Sequence, residues 1–372
     1  MKLLYVKANH FKNAKDGFEI SFIAKSKKTA EDKEYELQKI DEGLYVYNTL
    51  AFVGKNASGK TTAVELLDCC YSILGEFRLE GKHYGYDGVE LDMIFFHEGY
   101  LYRYMTTLQP DQTLSNKAVF TEQRIYRKKY YKTKIKTIFE MDDFIELEDF
   151  GELPEDTSKV FFVLKKKETR AIYFDSFGEG VDTYAVLFKV MKNHQISDEI
   201  FLNILRIFDE NVKNIEKIDE HNYTLHYQDD IKNLSDQELV YLLSSGTTKG
   251  VLLYALMAAS LQKGFDLIVD EIENHFHKTL VENMISLYKD KSVNKNKAVL
   301  IFTTHYCEVL DLFNRRDNIW IAKTDSQVYL DNMYDGYEIR TELLKSKQFY
   351  NNVFQTAVNY DELMDMKRKL MK

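Results

Sequence analysis

The stretch Leu50-Ala51-Phe52-Val53-Gly54-Lys55-Asn56-Ala57-Ser58-Gly59-Lys60-Thr61-Thr62 constrains the fold more than any other part of the chain. A short apolar run ends in a glycine, and a loop closes on Gly59-Lys60-Thr61. Apolar residues then recur at Ala63, Leu66, Leu67, Cys70 and Leu74, which is helical spacing. Glycines at both ends let the backbone turn its N–H groups inward, and a helix starting there offers its N-terminus to negative charge. The pattern Gly-x-x-x-x-Gly-Lys-Thr is thus a phosphate cradle formed by Gly54, Lys55, Asn56, Ala57, Ser58, Gly59, Lys60, Thr61 and Thr62. Lys60 is expected to reach the β- and γ-phosphates and the Thr61 hydroxyl to ligate a metal. ATP and Mg²⁺ are the expected ligands.

Two further apolar runs, 265–269 and 298–302, resemble buried parallel strands, and helical patterns over 250–262 and 278–288 accompany them. The predicted fold class is α/β, a mixed sheet flanked by helices around a P-loop. The run at 265–269 delivers Asp270 and Glu271. Beside a phosphate loop, Asp270 is expected to hold the metal and Glu271 to polarise the attacking water. Glu273 reads as structural or as part of a subunit contact. His305 closes the second run, where a histidine either bonds a γ-phosphate oxygen or the attacking water, or is a satisfied structural residue. His275 and His277 lack an evident third metal ligand and read as loop residues at a dimer face. The segment 243–250 holds Ser245, Gly246 and Thr247 and reads as an N-cap opening a helix, again suited to an anion.

Strand patterns are expected at 3–7, 18–23, 118–126 and 135–140, a loop or hairpin edge at 25–39, and two strands over 89–107 around Glu98-Gly99. Helical spacing runs from Asp182 to Ile218. The phosphate-loop strand is too far in sequence from its sister strands for a simple crossover. The expected organisation is therefore a head made of 1–75 and 235–372 with an inserted β-rich and helical lobe at 76–234.

A net charge of −9 argues against coating nucleic acid over the whole surface. One basic, tyrosine-rich run, 126–136, admits two readings: a DNA contact, or a solvated hairpin whose charges prevent aggregation. The second is favoured. No apolar run spans a bilayer, no signal peptide is expected, and the three cysteines have no metal spacing, so a cytoplasmic chain with reduced thiols is expected.

In order, Gly54–Thr62, Ser245-Gly246-Thr247, Asp270-Glu271 and His305 resemble the ABC-type ATPase heads of the SMC, RecF and OLD branch. The resemblance is narrowest to prokaryotic AAA-family, OLD-like ATPases of anti-phage and abortive-infection systems. It implies that two heads close around ATP, with Ser245, Gly246 and Thr247 contacting the partner's γ-phosphate. Glu271 would be the base, His305 the switch histidine and residues 274–277 a D-loop-like contact. Gln123 is one candidate for the glutamine loop. The expected partners are a second copy, as a homodimer or higher homo-oligomer, and a separately encoded effector. The chain lacks the long heptad insert of SMC proteins, and only residues 306–372 follow His305, too few for a TOPRIM nuclease domain. A RecF-like DNA repair or loading factor is the alternative. A transporter subunit is disfavoured by the Ser-Ser-Gly-Thr-Thr signature.

Overall fold

The computed structural model describes residues 1–371 apart from 83, 115, 149, 176–182, 220, 243–244, 275–276, 339–342 and 355–359; side chains of 183–185, 245–246 and 360–363 also fall outside the described set. Two six-stranded sheets organise it. The first carries the phosphate loop. Its strands run in the order Ala171–Asp175, Asp266–Asp270, Leu300–Thr304, Thr49–Val53, Ile319–Thr324 and Val328–Asn332. The first five are mutually parallel and the last is an antiparallel edge.

Thr49–Val53 is buried at every position because both faces are covered, which is why it reads as unbroken apolar sequence. Leu50 and Phe52 enter one core, shared with Leu66 and Leu67 of the P-loop helix Lys60–Glu76. Ala51 and Val53 enter a second core with Val251, Leu253 and Ile285 from helices Ser245–Lys263 and Lys278–Lys289. The histidine strand Leu300–Thr304 lies between the P-loop strand and the Asp-Glu strand. That order puts three loop-bearing ends side by side.

The second sheet is antiparallel throughout: Phe18–Ser21, Lys2–Asn9, Val89–His97, Tyr100–Pro110, Ala118–Lys129 and Ile145–Glu146. Its two-residue turn has Glu98 at φ 50° and Gly99 at φ 80°, as a type I′ hairpin requires. A buried hub ties both sheets to the P-loop helix. Asp266 Oδ1 meets Lys2 Nζ at 2.6 Å and the Val299 N–H at 2.9 Å, and Tyr71 donates to Oδ2 at 2.6 Å. With its oxygens so satisfied, the charge pair can be buried.

Within 76–234, Val89–His97 pairs with the N-terminal strand and Ala171–Asp175 joins the P-loop sheet. Three local expectations change. Helix is expected through Ile218, yet Val212–Lys217 is a strand of a three-stranded sheet with Asn222–Tyr227 and Asp230–Ser235. Instead of a strand at 135–140, a 3₁₀ helix covers Lys132–Thr137. The polar stretch 25–39 contains a single helical turn, Asp32–Glu36, and enters the strand Leu37–Asp41.

Among the described residues no single helix is long and apolar enough to cross a membrane. One sharply bent pair, Asp236–Leu242 with Thr247–Lys263, passes by length and composition, but Val251, Leu253, Ala255 and Ala259 of that pair are core residues.

Candidate nucleotide site

The phosphate loop is shaped by its glycines. A Cβ on Gly54 would lie 2.4 Å from Ser58 Oγ and 2.6 Å from the Ala322 carbonyl oxygen. Gly59 has φ 92°, and its Cβ would strike Val328 Cγ1 at 2.1 Å. The first position excludes side chains by crowding; the second does so by crowding and backbone conformation together. Lys55, Asn56 and Ala57 form the exposed crest, while Ser58 and Thr62 are buried.

Lys60 folds back beneath the loop. Its ammonium donates to the carbonyls of Gly54 and Lys55, each at 3.1 Å, and lies 3.3 Å from His305 Nδ1. Burial pulls its pKa down, and the carboxylates of Glu271, Asp270 and Glu273 oppose that pull. Thr61 Oγ1 donates to Asp270 Oδ2 at 2.8 Å. Burial raises the Asp270 carboxyl above its ordinary value; hydrogen bonds from Thr303 and Thr61 lower it, and the charges of Glu271 and Asp175 add to the rise.

Thr303, on the histidine strand, links the two acids. Its hydroxyl donates to Asp270 Oδ1 at 2.5 Å and accepts the Glu271 N–H at 2.7 Å. Glu271 sits at φ 50°, an unusual conformation for a non-glycine residue, held there by that bond and by Ile272 N–H to Thr303 O at 3.1 Å. Asn274 donates to Glu271 Oε2 at 2.6 Å, and His305 Nε2 lies 3.3 Å from Oε1. An ammonium only donates, so His305 Nδ1 accepts from Lys60 and the ring proton belongs on Nε2, facing Glu271. The histidine therefore bridges the lysine expected to bind phosphate and the acid expected to act as base. Glu273, whose carboxylate accepts the His305 backbone N–H, is also buried here.

Could these residues hold a metallated nucleotide? Ser58 Oγ is buried without a hydrogen-bond partner, and Thr61 Oγ1 sits beside one oxygen of Asp270. One hydroxyl and one carboxylate, completed by substrate phosphates, suit Mg²⁺. Among the described residues no group of three or more His, Cys, Asp or Glu is placed to hold a metal.

Ser245, Gly246 and Thr247 open the helix Ser245–Lys263; the surroundings of the first two lie outside the described residues. His275 lies outside them too, and His277 is an N-cap whose Nδ1 accepts the Thr279 N–H at 3.3 Å. Gln123 belongs to the antiparallel sheet, where Oε1 accepts from Tyr104 OH and from Lys159 N–H, each at 2.7 Å. In the basic run, Lys128 is buried and donates to the carbonyls of Thr137, Glu140 and Asp142, Lys132 pairs with Glu42, and Lys134 with Asp143. Those cations are committed within the chain. Two site residues escaped the sequence reading: Thr303, and Asp175, which ends the strand beside Asp270 in direct register with it.

A family model described as "AAA domain, putative AbiEii toxin, Type IV TA system" matches residues 50–311, more than half of the chain. The chain belongs to this AAA-domain family. The matched span runs from the P-loop strand past His305, so every member of the site just described, from Gly54 to His305, falls inside the AAA domain. Its central parallel sheet with flanking helices is the α/β arrangement of a P-loop NTPase, as an AAA domain implies. No curated protein matches the sequence. Among solved structures, an "SmcHead bound to the C-winged helix domain of ScpA" covers 89% of this chain and 97% of its own, with 11% identity and a TM-score of 0.49. An inward-facing metal-chelate type ABC transporter covers 90% of this chain and 85% of its own, with 11% identity and a TM-score of 0.36.

Proposed function

We propose that this AAA-domain protein binds ATP with Mg²⁺, hydrolyses it, and uses the cycle to pair and release two heads that switch a separately encoded effector. One observation carries the reading: Lys60, Thr61, Asp270, Glu271, Thr303 and His305 form a single hydrogen-bonded group at the P-loop. The Thr61 hydroxyl and the Asp270 carboxylate would hold Mg²⁺, which would supply charge neutralisation on the phosphates.

The chain's own residues do the remainder. The loop N–H groups and Lys60 hold the phosphates, and Thr303 fixes Asp270 and Glu271 relative to each other. Glu271, its side chain 23% exposed, takes the proton of an attacking water. His305 bridges Lys60 and Glu271 and so couples the phosphate end of the site to the base. The signature residues Ser245, Gly246 and Thr247 are assigned to the partner's phosphate on the strength of the sequence resemblance. The family description names the AbiEii toxin and a type IV TA system, which supports a role in defence against phage. The RecF-like alternative has less support, because Lys128 is buried on three carbonyls and Lys132 and Lys134 each pair with an acid of the same chain.

Light scattering with Mg²⁺-ATP tests the pairing. Glu271→Gln is expected to accumulate as a dimer that wild type forms only transiently. Glu271→Gln that stays monomeric at saturating ATP would remove the paired-head cycle.

A further inference from the structure

We infer that Glu273 is a positioning residue for His305, required for turnover although it does not touch the nucleotide. The inference rests on the ATPase reading above and deepens it. Two glutamates follow Asp270, and the structure separates their work. Glu271 has Oε1 toward His305 and Oε2 toward Asn274, with its side chain 23% exposed. Glu273 is only 7% exposed, and its Oε2 is sealed from solvent without a partner. A sealed oxygen cannot take a proton from a water that arrives with substrate. A base must reach that proton within hydrogen-bond distance. Of the two acids, Glu271 is the one placed to meet that water.

Its other oxygen has a specific task. Oε1 accepts the backbone N–H of His305, the first residue beyond the strand Leu300–Thr304. Strand pairing holds the chain up to Thr304, which stands opposite Val53. Past that point the ladder no longer fixes the backbone, and the carboxylate of Glu273 takes over. The imidazole can meet Lys60 and Glu271 at once only if the His305 backbone is fixed. Both ring contacts are 3.3 Å, at the outer edge of a hydrogen bond, so a small shift would break one of them. An orphaned carboxylate oxygen is costly to bury, and a residue kept at that cost fits a geometric requirement of the site better than a packing one. Glu273 also lies among the acids whose charge opposes the downward pull of burial on Lys60. Glu273→Gln keeps an acceptor oxygen for the His305 N–H while removing the charge, so it separates the two effects.

The experiment is steady-state ATP hydrolysis by the full chain with Glu273→Ala, Glu273→Gln and Glu273→Asp, each alone and in a His305→Ala background, with Glu271→Gln in parallel. Glu273→Ala is expected to lower kcat about 10²-fold, as a misplacement of about 1 Å can, and to leave KM within about threefold. Glu273→Asp, one methylene short of the N–H, should match it and serves if the alanine variant does not fold. Glu273→Gln should recover most of the rate. Against His305→Ala, Glu273→Ala should cost nothing further, because the two residues act as one unit. Wild-type turnover by Glu273→Ala or Glu273→Asp, a glutamine variant as slow as alanine, or a full additional loss in the His305→Ala background would each overturn the inference. An inactive Glu271→Gln beside a fully active Glu273→Ala would sink this inference alone; a fully active Glu271→Gln would sink the base assignment.

Discussion

Lys60 and Lys128 invite comparison, because each is a nearly buried lysine whose ammonium is held by backbone carbonyls. Burial pulls both pKa values down. Lys128 ends there: its three carbonyls belong to the turn after its own strand, and it lies 4.2 Å over the Phe144 ring. Lys60 starts a helix, faces a histidine and answers to three carboxylates at and just beyond the end of the Asp-Glu strand. The desolvation is shared, so burial does not mark a functional lysine. Convergence does, and it comes from parallel strands that end together. In the antiparallel sheet neighbouring strands end at opposite edges, and Lys128 has only local neighbours to bind.

The sharpest way to break the comparison is to truncate both. Lys60→Ala is expected to weaken ATP binding by about 2–5 kcal/mol, the range for removing one partner of a buried charged contact, as read by calorimetry. Lys128→Ala should leave ATP binding unchanged and destabilise the fold by about 1–3 kcal/mol, the penalty for carbonyls left without a donor, as read by denaturant unfolding. Equal losses of ATP affinity in both variants would erase the distinction.

A smaller effect is expected at Thr303, where convergence depends on one hydroxyl. Thr303→Val keeps the shape but leaves Asp270 Oδ1 and the Glu271 N–H without that partner. Hydrolysis should fall about 10–100-fold, the usual cost of losing a supporting hydrogen bond at a metal site, and Thr303→Ser should restore most of it. A valine variant with full activity would mean that the strand alone places the acids.

The smallest effect is in pH. Burial holds the Asp270 carboxyl above its ordinary value. Protonation would remove the proposed metal ligand, so Mg²⁺-dependent ATP binding should weaken on acidification at a higher pH than an ordinary carboxylate would give. For stability the sign is the reverse of a salt-bridged acid. The folded state holds the proton more tightly than the unfolded one, so this group's contribution falls as pH rises from about 3.9 through the raised value. Asp270→Asn should flatten both trends in titrations of binding and unfolding; unchanged trends would assign them to another group.

Much of the site was legible because its strands are buried on both faces. Leu50–Val53 and Leu267–Val269 are unbroken apolar runs that end in chemistry, and periodicity finds such runs. Ala171–Asp175 ends in chemistry too, but as the edge of the sheet its first three residues are only half-buried, so no comparable run exists. Val212 and Ile215 are the buried residues of a short strand, and their spacing mimics one helical turn. In Lys132–Thr137 charged and uncharged residues alternate as in a strand, yet no described side chain there is buried, so the alternation marks no core face. Thr303 was invisible for another reason. A threonine near a strand end looks like ordinary strand composition, and its role exists only once the neighbouring strand brings Asp270 beside it. The pairing of the N-terminal strand with Val89–His97 is likewise long-range, so no local pattern shows it.

The central claim is that the acid beside His305 performs the proton transfer of ATP hydrolysis, and single-turnover hydrolysis by Glu271→Gln tests it most directly. The variant is expected to bind Mg²⁺-ATP as wild type does while cleaving it about 10²–10⁴-fold more slowly, the span general-base catalysis supplies. Cleavage at the wild-type rate with ATP bound would contradict it.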